Sequence, residues 1–558
     1  MNSSFLKPSE AFFSSIERLR SSKTSALSLS QRIDLCGQCV KGIVSVAQDW
    51  ASDAARNKGE DGNPGVQAED LLSGPGVIAR QLQLTMQTLR QLEAGSEPKF
   101  PGKMTRTSSG QLEVPVFPTS GFYDSLTFFG LSAKVRMQQG VDAAEVHGNC
   151  ISRCRQGEIF GQTAVLGAGN VSSIPALDSL NRIMFEGRRV VLKMNPINEY
   201  LAPHLSDAFS CLINADLLAI VTGDAEVGQH LLHHDDISDV HITGSAETHD
   251  RIVWGNGDQE RKDRQQRNEP IINKPVTSEL GNVTPWIIVP GVYSSRQLRS
   301  QAEHIAASIT NNASFNCLAT KVVVTWKDWP QRETFLNLVQ SFLNQTPLRA
   351  AYYPGATERF QRFTNSTVTP DSDGCLPWTL LTDQDPDDNP ILFEEESFVC
   401  VCAETQLEAD SPADFLQHAT DFVNARLTGT LCASITFPPG FRRSHAPVVD
   451  ACIDKLRYGS VCINQWSGLA YGLISPPWGA YPGATIHDVQ SGIGAVHNTY
   501  LLENFEKTIL QGPLINLPKP IWFPSHKSGH DVAKRLLALY ERPSITRLPA
   551  LFLAALRG

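Results

Sequence analysis

Three short stretches carry residues whose types and spacing could do chemistry. In NNASFNCLATKVVV, Cys317 ends a polar run of small residues and precedes a strongly apolar strand. A thiol in a loop that feeds a core strand can stand at a site mouth as a nucleophile. A free cysteine is as readily a small buried hydrophobe, and this stretch alone does not decide between the two. In KPVTSELGNVTPWIIV, Glu279 lies 38 residues before Cys317. A carboxylate near the thiol could take a proton from water; a surface glutamate at a helix-to-strand junction is the plainer reading. In VHITGSAETHDRI, a strand runs through Thr243 into Gly244 and Ser245 and then into helix-like sequence. Such a junction can aim backbone N–H groups at a phosphate, although many strand-to-helix turns contain glycine and no full GxGxxG is present.

The elements that must position these residues follow from hydrophobic periodicity. Residues 1 to about 95 read as helical, with apolar residues three and four apart over Ser9 to Arg20, Gln31 to Trp50 and Gly76 to Leu92. The polar stretch 55–65 separates two of these as a loop. After about residue 110, short apolar runs alternate with helix-length segments: 163–169, 189–194, 217–223, 239–245, 285–291 and 320–326. Helical patterns lie between them, over Ile174 to Glu186 and Asn198 to Asn214. Alternation of this kind predicts parallel βαβ units and doubly wound α/β sheets. The polar insert 255–270 reads as an exposed loop or frayed helix end. Beyond about residue 470 the chain is rich in proline and glycine, and a helical pattern resumes at Asp531 to Glu541.

Length and composition bound the function class. At 558 residues the chain calls for two or three packed units. Its net charge of −10 and the absence of a basic cluster argue against nucleic acid as a partner. The N-terminus lacks an uninterrupted apolar segment and a small-residue cleavage site, so no signal peptide is expected. No apolar run reaches bilayer-crossing length; the nearest, Leu548 to Leu556, is too short. The amphipathic tail from Asp531 to Gly558 reads as a docked terminal helix in preference to a membrane anchor, because its basic residues are few. A cytoplasmic location without stable membrane insertion is the expectation. Of the 12 cysteines, Cys36 and Cys39 form a lone CxxC without a second ligand pair, so no metal is expected. Cys150, Cys154, Cys400 and Cys402 read as packing residues.

Taken in order, the three stretches resemble the aldehyde dehydrogenase superfamily over roughly residues 155 to 500. VTGDAEVGQHLLHHDDISDVHITGSAE is similar to the family's approach to its cofactor-binding Gly-Ser turn. SELGN is similar to its Glu-Leu-Gly-Gly segment and NNASFNCLATK to the segment around its cysteine. EEESF (394–398) resembles its Glu-x-Phe element, and PPWGAYPG with Ser491 to Gly494 its late Pro-Phe-Gly-Gly and Ser-Gly elements. The resemblance implies two doubly wound parallel-sheet domains, one Rossmann-type for the cofactor and one catalytic, with extra helical segments at both ends. The implied division is a helical extension over 1–100, a cofactor-binding domain over 101–283, a catalytic domain over 284–470, and a segment over 471–558 that returns to the cofactor domain and extends beyond it. An oligomerisation hairpin would lie within 133–160, in a homodimer or homotetramer.

The resemblance also implies roles. Cys317 would attack the aldehyde carbon and Glu279 would activate the hydrolytic water. The Asn170 amide, with the Cys317 N–H, would form the oxyanion hole. Lys193 would hydrogen-bond the adenosine ribose of NAD or NADP, Gly244 and Ser245 would lie beside the pyrophosphate, and Glu396 would hold the nicotinamide ribose next to Phe398. The product would be a carboxylic acid formed through a thiohemiacetal and a thioester, from a hydrophobic or aromatic aldehyde.

The sequence departs from the family's pattern at three points. Pro-Trp-Asn is Ala168-Gly169-Asn170 here, and Gly-Gly-Lys is Gly281-Asn282-Val283. Pro196 stands where NAD-preferring members carry a ribose-binding glutamate, so a 2′-phosphate is less strongly rejected. Gly-Ala-Gly-Asn-Val also resembles fatty acyl-CoA reductases, so a CoA-dependent acyl-CoA reductase and a catalytically degenerate member stand as alternatives. Glu279 favours hydrolysis over transfer to CoA.

Overall fold

The computed structural model describes residues 10–558. Residues 1–9, which carry part of the leader-peptide reading, lie outside the described residues. Sixteen described strands form two sheets. The smaller contains β4 (Gln162–Leu166), β5 (Arg189–Lys193), β6 (Leu218–Val221), β7 (Asp239–Gly244) and β8 (Val276–Leu280), with β15 (Gly492–Ile493) at its edge. Its order is β15-β8-β7-β4-β5-β6, parallel except for β15. β5 is buried at every position, as a parallel strand covered on both faces requires.

The larger sheet has the order β1-β2-β3-β16-β14-β13-β9-β10-β12-β11. Its parallel part holds β9 (Pro285–Ile288), β10 (Val322–Trp326), β11 (Thr379–Leu381), β12 (Val401–Leu407), β13 (Cys432–Thr436), β14 (Ser460–Ile463) and β16 (Phe505–Gln511). β1 (Thr105–Arg106), β2 (Leu112–Phe117) and β3 (Ser132–Met137) add to β16 as an antiparallel ribbon. The α/β class with two parallel-dominated sheets, expected from the alternating pattern, is therefore present.

The partition of the chain differs from the sequence reading in three places. Within 471–558, expected to return to the cofactor domain, only β15 joins the smaller sheet, while β16 lies in the larger one between β3 and β14. Residues 105–137 join the larger sheet, because β3 finds its ladder partner in β16 rather than in the smaller sheet. Residues 133–160 do not form a hairpin: they hold β3, a loop and a short helix, and β3 pairs with β2 and β16. Their remote antiparallel pairing has no local turn signal to reveal it.

Helices dominate residues 10–93. α1 (Glu10–Ser21) lies on the smaller sheet, where the Arg18 guanidinium donates to the Ile213 carbonyl (2.7 Å) and pairs with Asp216 (3.2 Å). α2 (Leu29–Asn57) starts at a capping box in which Ser28 and Gln31 satisfy each other's backbone N–H. α3 (Pro64–Leu71) and α4 (Val77–Glu93) meet at Gly74-Pro75, where a Cβ on Gly74 would crowd Ser172 and Trp50. The polar run 55–65 thus ends in the start of α3 rather than in loop alone.

Two buried ion pairs fasten the extension. Lys58 meets Asp70 at 2.9 Å. Arg80 holds Asp124 through two parallel bonds of 2.9 and 2.8 Å, and its Nε donates to the Leu473 carbonyl.

Two polar segments resolve differently from expectation. The insert 255–270 contains a helix, Asp258–Arg267, with no buried residue. Pairs Arg261–Asp258 and Arg264–Glu260 lace its surface, the local support that lets a polar helix persist. The helical pattern over Asn198 to Asn214 breaks into a 3₁₀ turn (Pro196–Leu201) and two short helices. At the other end of the chain, a helix over Gly529–Glu541 packs against α3, and the last helix, Leu548–Ala555, packs on it.

Candidate active site

The smaller sheet reverses its winding at β4. β5 and β6 lie on one side and β7 and β8 on the other, which opens a crevice at the carboxyl ends of the strands. Lys193 ends β5, Gly244 ends β7, Glu279 lies one residue from the end of β8, and Asn170 follows β4. Parallel strands therefore bring four of the sequence candidates to one edge. β8 runs almost directly into β9 of the larger sheet, so Glu279 sits at the junction of the two.

Cys317 reaches the same junction from the opposite sheet, just before β10. The helix Ser295–Thr310 ends and the chain turns through Asn312, Ala313 and Ser314, all left-handed at φ 51, 53 and 67°. Such conformations cost about 1–3 kcal/mol each for non-glycine residues and persist only where their surroundings enforce them. Asn312 does the enforcing. Its amide donates to the carbonyls of Asn170 (3.0 Å) and Phe315 (2.9 Å), its oxygen accepts from Tyr352 Oη (3.1 Å), and its backbone N–H donates to Glu69 Oε2 (3.0 Å). Asn170 adds a bond from Nδ2 to the Phe315 carbonyl (3.2 Å). Thr284 Oγ1 donates to the Cys317 carbonyl (2.9 Å), and Asn316 Oδ1 accepts from the Leu318 N–H. The loop around the thiol is thus held from both sheets and from α3.

Glu279 is 5 % exposed. Trp478 Nε1 donates to its Oε1 at 2.7 Å, while its Oε2 has no protein partner. Burial raises its carboxyl to about 8, nearby Asp178 pushes it the same way, and the Trp478 bond opposes them. Burial pushes the Cys317 thiol well up, and the charges of Glu279 and Glu396 add to this; its own backbone N–H works in the other direction. The resting pair at neutral pH is a thiol and a largely protonated carboxyl.

Both groups line one cavity of about 810 Å³. Trp466, Leu469 and Tyr471 flank them; Leu72 and Val77 from the N-terminal extension and Tyr540 from the C-terminal one close the walls. The two extensions, silent in the sequence motifs, thus contribute to the cavity wall.

The remaining candidates lie around the crevice. Glu396 packs against Gly281, where any Cβ would overlap its carboxylate. Its Oε1 is buried without a partner, and burial lifts the group to about 7 against the pull of Lys321 and the Asn282 N–H. Phe398 packs on Tyr353 and Phe315, with ring centroids at 5.0 and 6.0 Å. Lys193 is buried, and burial lowers its pKa while Glu199 and Asp224 pull it back. Ser245 caps the helix Ala246–Trp254 through a bond from the Thr248 N–H (3.1 Å), leaving the first turn open at the sheet edge. A Cβ on Gly244 would meet nothing within 4 Å. A buried cation, an exposed helix N-terminus and an orphaned carboxylate oxygen along a winding-reversal crevice suit a dinucleotide.

The departures have local explanations. Asn282 donates to the Cys432 carbonyl (2.8 Å) and ties β8 to β13. A Cβ on Gly169 would crowd Asn195, 2.8 Å away, so a bulkier neighbour to Asn170 has no room. Sequence reasoning missed Trp478, Asn312, Glu69, Asp178 and Lys321. Trp478 stands inside the quoted PPWGAYPG and Asn312 inside NNASFN, so both had a signal. Glu69, Asp178 and Lys321 had none that distinguishes them from other polar residues.

Residues 126–350 match the model of the aldehyde dehydrogenase family. No curated protein sequence matches the chain. Among solved structures, an NAD-dependent aldehyde dehydrogenase from Sinorhizobium meliloti is similar at 15 % identity, over 91 % of this chain and 88 % of that one, with a TM-score of 0.60. An indole-3-acetaldehyde dehydrogenase solved with NAD+ is similar at 16 %, over 90 and 88 %, with 0.59. Staphylococcus aureus AldH is similar at 17 %, over 94 and 98 %, with 0.59. At these identities the likeness establishes the fold. The chain has the fold of these aldehyde dehydrogenase structures, and its residues 126–350 match the aldehyde dehydrogenase family model.

Proposed function

We propose that this protein oxidises an aldehyde to a carboxylic acid, with NAD or NADP as the acceptor and Cys317 as the nucleophile. The observation that carries the proposal is that Cys317 and Glu279, from different sheets, share one largely apolar cavity. The aldehyde carbon takes a bond from Cys317 Sγ, and the thiol proton leaves for solvent or for ionised Glu279. The resulting oxyanion is met by the Cys317 N–H and by the second Asn170 amide hydrogen, the first being held by Phe315. Donors fixed in this way act without reorganising. A bound nicotinamide dinucleotide supplies the hydride acceptor. Lys193, the open turn after Ser245, and Glu396 with Phe398 are the residues to hold it. The acyl group is then a thioester on Cys317. Glu279, as the carboxylate, takes a proton from water; the water oxygen bonds the acyl carbon, the acid leaves, and the thiolate is restored.

Pro196 leaves the ribose end without one carboxylate, but Glu199 supplies another within electrostatic reach of Lys193, which favours NAD over NADP. The walls favour a hydrophobic or aromatic aldehyde. The unpartnered Glu279 oxygen supports hydrolysis over transfer to CoA. A homodimer or homotetramer in the cytoplasm, with no nucleic-acid partner, completes the proposal; none of the described helices is long and apolar enough to cross a membrane.

The test is a panel of aldehydes with NAD and NADP, with and without CoA, followed by absorbance of the reduced nicotinamide. Turnover without CoA, abolished in Cys317→Ala, is the expected result. A strict need for CoA refutes the hydrolytic step. Undiminished turnover in Cys317→Ala refutes the nucleophile, and no turnover with any aldehyde refutes the enzyme.

A further inference from the structure

The last helix, Leu548–Ala555, reads LPALFLAA and has no polar side chain on any face. A helix of that kind is stable in water only when covered all round. It buries Leu548, Leu551 and Ala554 against the Gly529–Glu541 helix, so it is docked as its sequence suggests, but its outer face is bare. Leu553 is 61 % exposed and Leu556 72 %. Across a shallow groove stand Phe129, 73 % exposed, and Leu517, 63 % exposed. The helix lines this groove with Phe552 and Ala555, and Leu553 and Leu556 stand exposed on the same helix, so the tertiary fold sets exposed apolar residues of three remote segments about one groove. Contiguous exposed apolar surface marks an interaction site.

Charge identifies the occupant. Residues 517–558 carry seven lysines and arginines against two acidic residues, in a chain of net charge −10. The helix itself has none, but Lys519 borders the groove, and Lys527, Lys534, Arg542 and Arg557 are exposed and outside any ion pair among the described residues. A second copy meeting this face across a two-fold axis would set these cations against their own images. An anionic bilayer complements both properties, taking the leucines and phenylalanine into its interface and the cations at its headgroups.

We propose that the face formed by the last helix and the loops around Phe129 and Leu517 is a peripheral docking surface for an anionic lipid bilayer. The groove and the Cys317 cavity share Ile521, Trp522 and Leu536 in their walls. Shared walls suit an aldehyde that partitions into membranes; that use rests on the proposed function, while docking itself does not.

The experiment is sedimentation of the full chain with phosphatidylcholine vesicles and with vesicles containing about 30 % phosphatidylserine, alongside size-exclusion chromatography. Binding to the anionic vesicles at low salt is expected, with roughly tenfold weaker binding to the neutral ones and in ~0.5 M NaCl, where charge is screened. Leu553→Glu/Leu556→Glu is expected to weaken binding at least about tenfold while retaining its melting transition, since both side chains face outward. Should that variant lose its transition, Leu553→Gln/Leu556→Gln is read in its place. No binding to anionic vesicles, or binding unchanged by the substitutions, overturns the proposal. So does a wild-type assembly that ignores vesicles and that the substitutions dissociate, which would make the occupant a second copy. Absence of aldehyde turnover leaves the vesicle result standing and refutes only the function.

Discussion

Replacing Trp478 by Phe removes the single protein hydrogen bond to the Glu279 carboxyl, 2.7 Å at Oε1, and leaves both oxygens of a 5 % exposed group without a partner. A hydrogen bond to a charged group contributes about 1.5–3 kcal/mol. The neutral carboxyl also accepts from the indole, so the lower end measures the difference between the two forms, and at about 1.4 kcal/mol per unit this is roughly one pKa unit. Glu279 then moves from about 8 to roughly 9. The sign follows from its proposed role: the base acts in the ionised form, so activity is lost as pH falls through the pKa. At pH 7, well below both values, the ionised fraction and the deacylation rate fall about tenfold, and near pH 10 the variant converges on the wild type. The assay is kcat against pH under saturating aldehyde, with single-turnover traces to confirm that deacylation limits the rate. Phe keeps an aromatic ring against Tyr471, whose centroid lies 5.5 Å from that of Trp478, and a melting curve separates packing loss from titration. A rising limb whose midpoint stays at the same pH in Trp478→Phe refutes the reasoning.

Other outcomes follow from the same geometry. Glu279→Gln is expected to cut kcat by about 10²- to 10⁴-fold while one reduced nicotinamide per site still forms in a burst; a vanished burst would place Glu279 before the hydride step. Asn170→Ala is expected to lower kcat/KM about 100- to 1000-fold with thermal stability nearly unchanged, and normal turnover would remove it from the oxyanion hole. Asn312→Ala frees three left-handed residues and removes the partner of the Asn170 carbonyl and of the Tyr352 hydroxyl, so a loss of about 2–3 kcal/mol in urea unfolding is expected together with lower activity. Arg80→Gln leaves Asp124 charged and buried, a cost of about 3–5 kcal/mol by denaturant titration; a change below 1 kcal/mol would show that the pair does not fasten α4.

The larger elements and the order of the candidate site residues were legible in the chain because both are local. Continuous apolar runs such as that of β5 give parallel strands wherever they occur, and Cys317 and Glu279 carry their neighbours' signature with them. Helix ends were legible where side chains cap them, as at Ser28. The helix Asp258–Arg267 escaped notice because its support is ion pairing on a wholly exposed surface, which leaves no periodic apolar stripe.

Three things waited for the tertiary structure. The protonation of Glu279 depends on its burial and on Asp178 and Trp478, which are distant in sequence. The left-handed turn before Cys317 is imposed by bonds from Asn170, Tyr352 and Glu69, no two of which share an element. Part of the cavity wall comes from the two extensions, which have no motif because apolar lining asks only for shape. Residue type and short-range spacing settle what chemistry is available, and long-range packing settles the dielectric, the strain and the enclosure in which that chemistry runs.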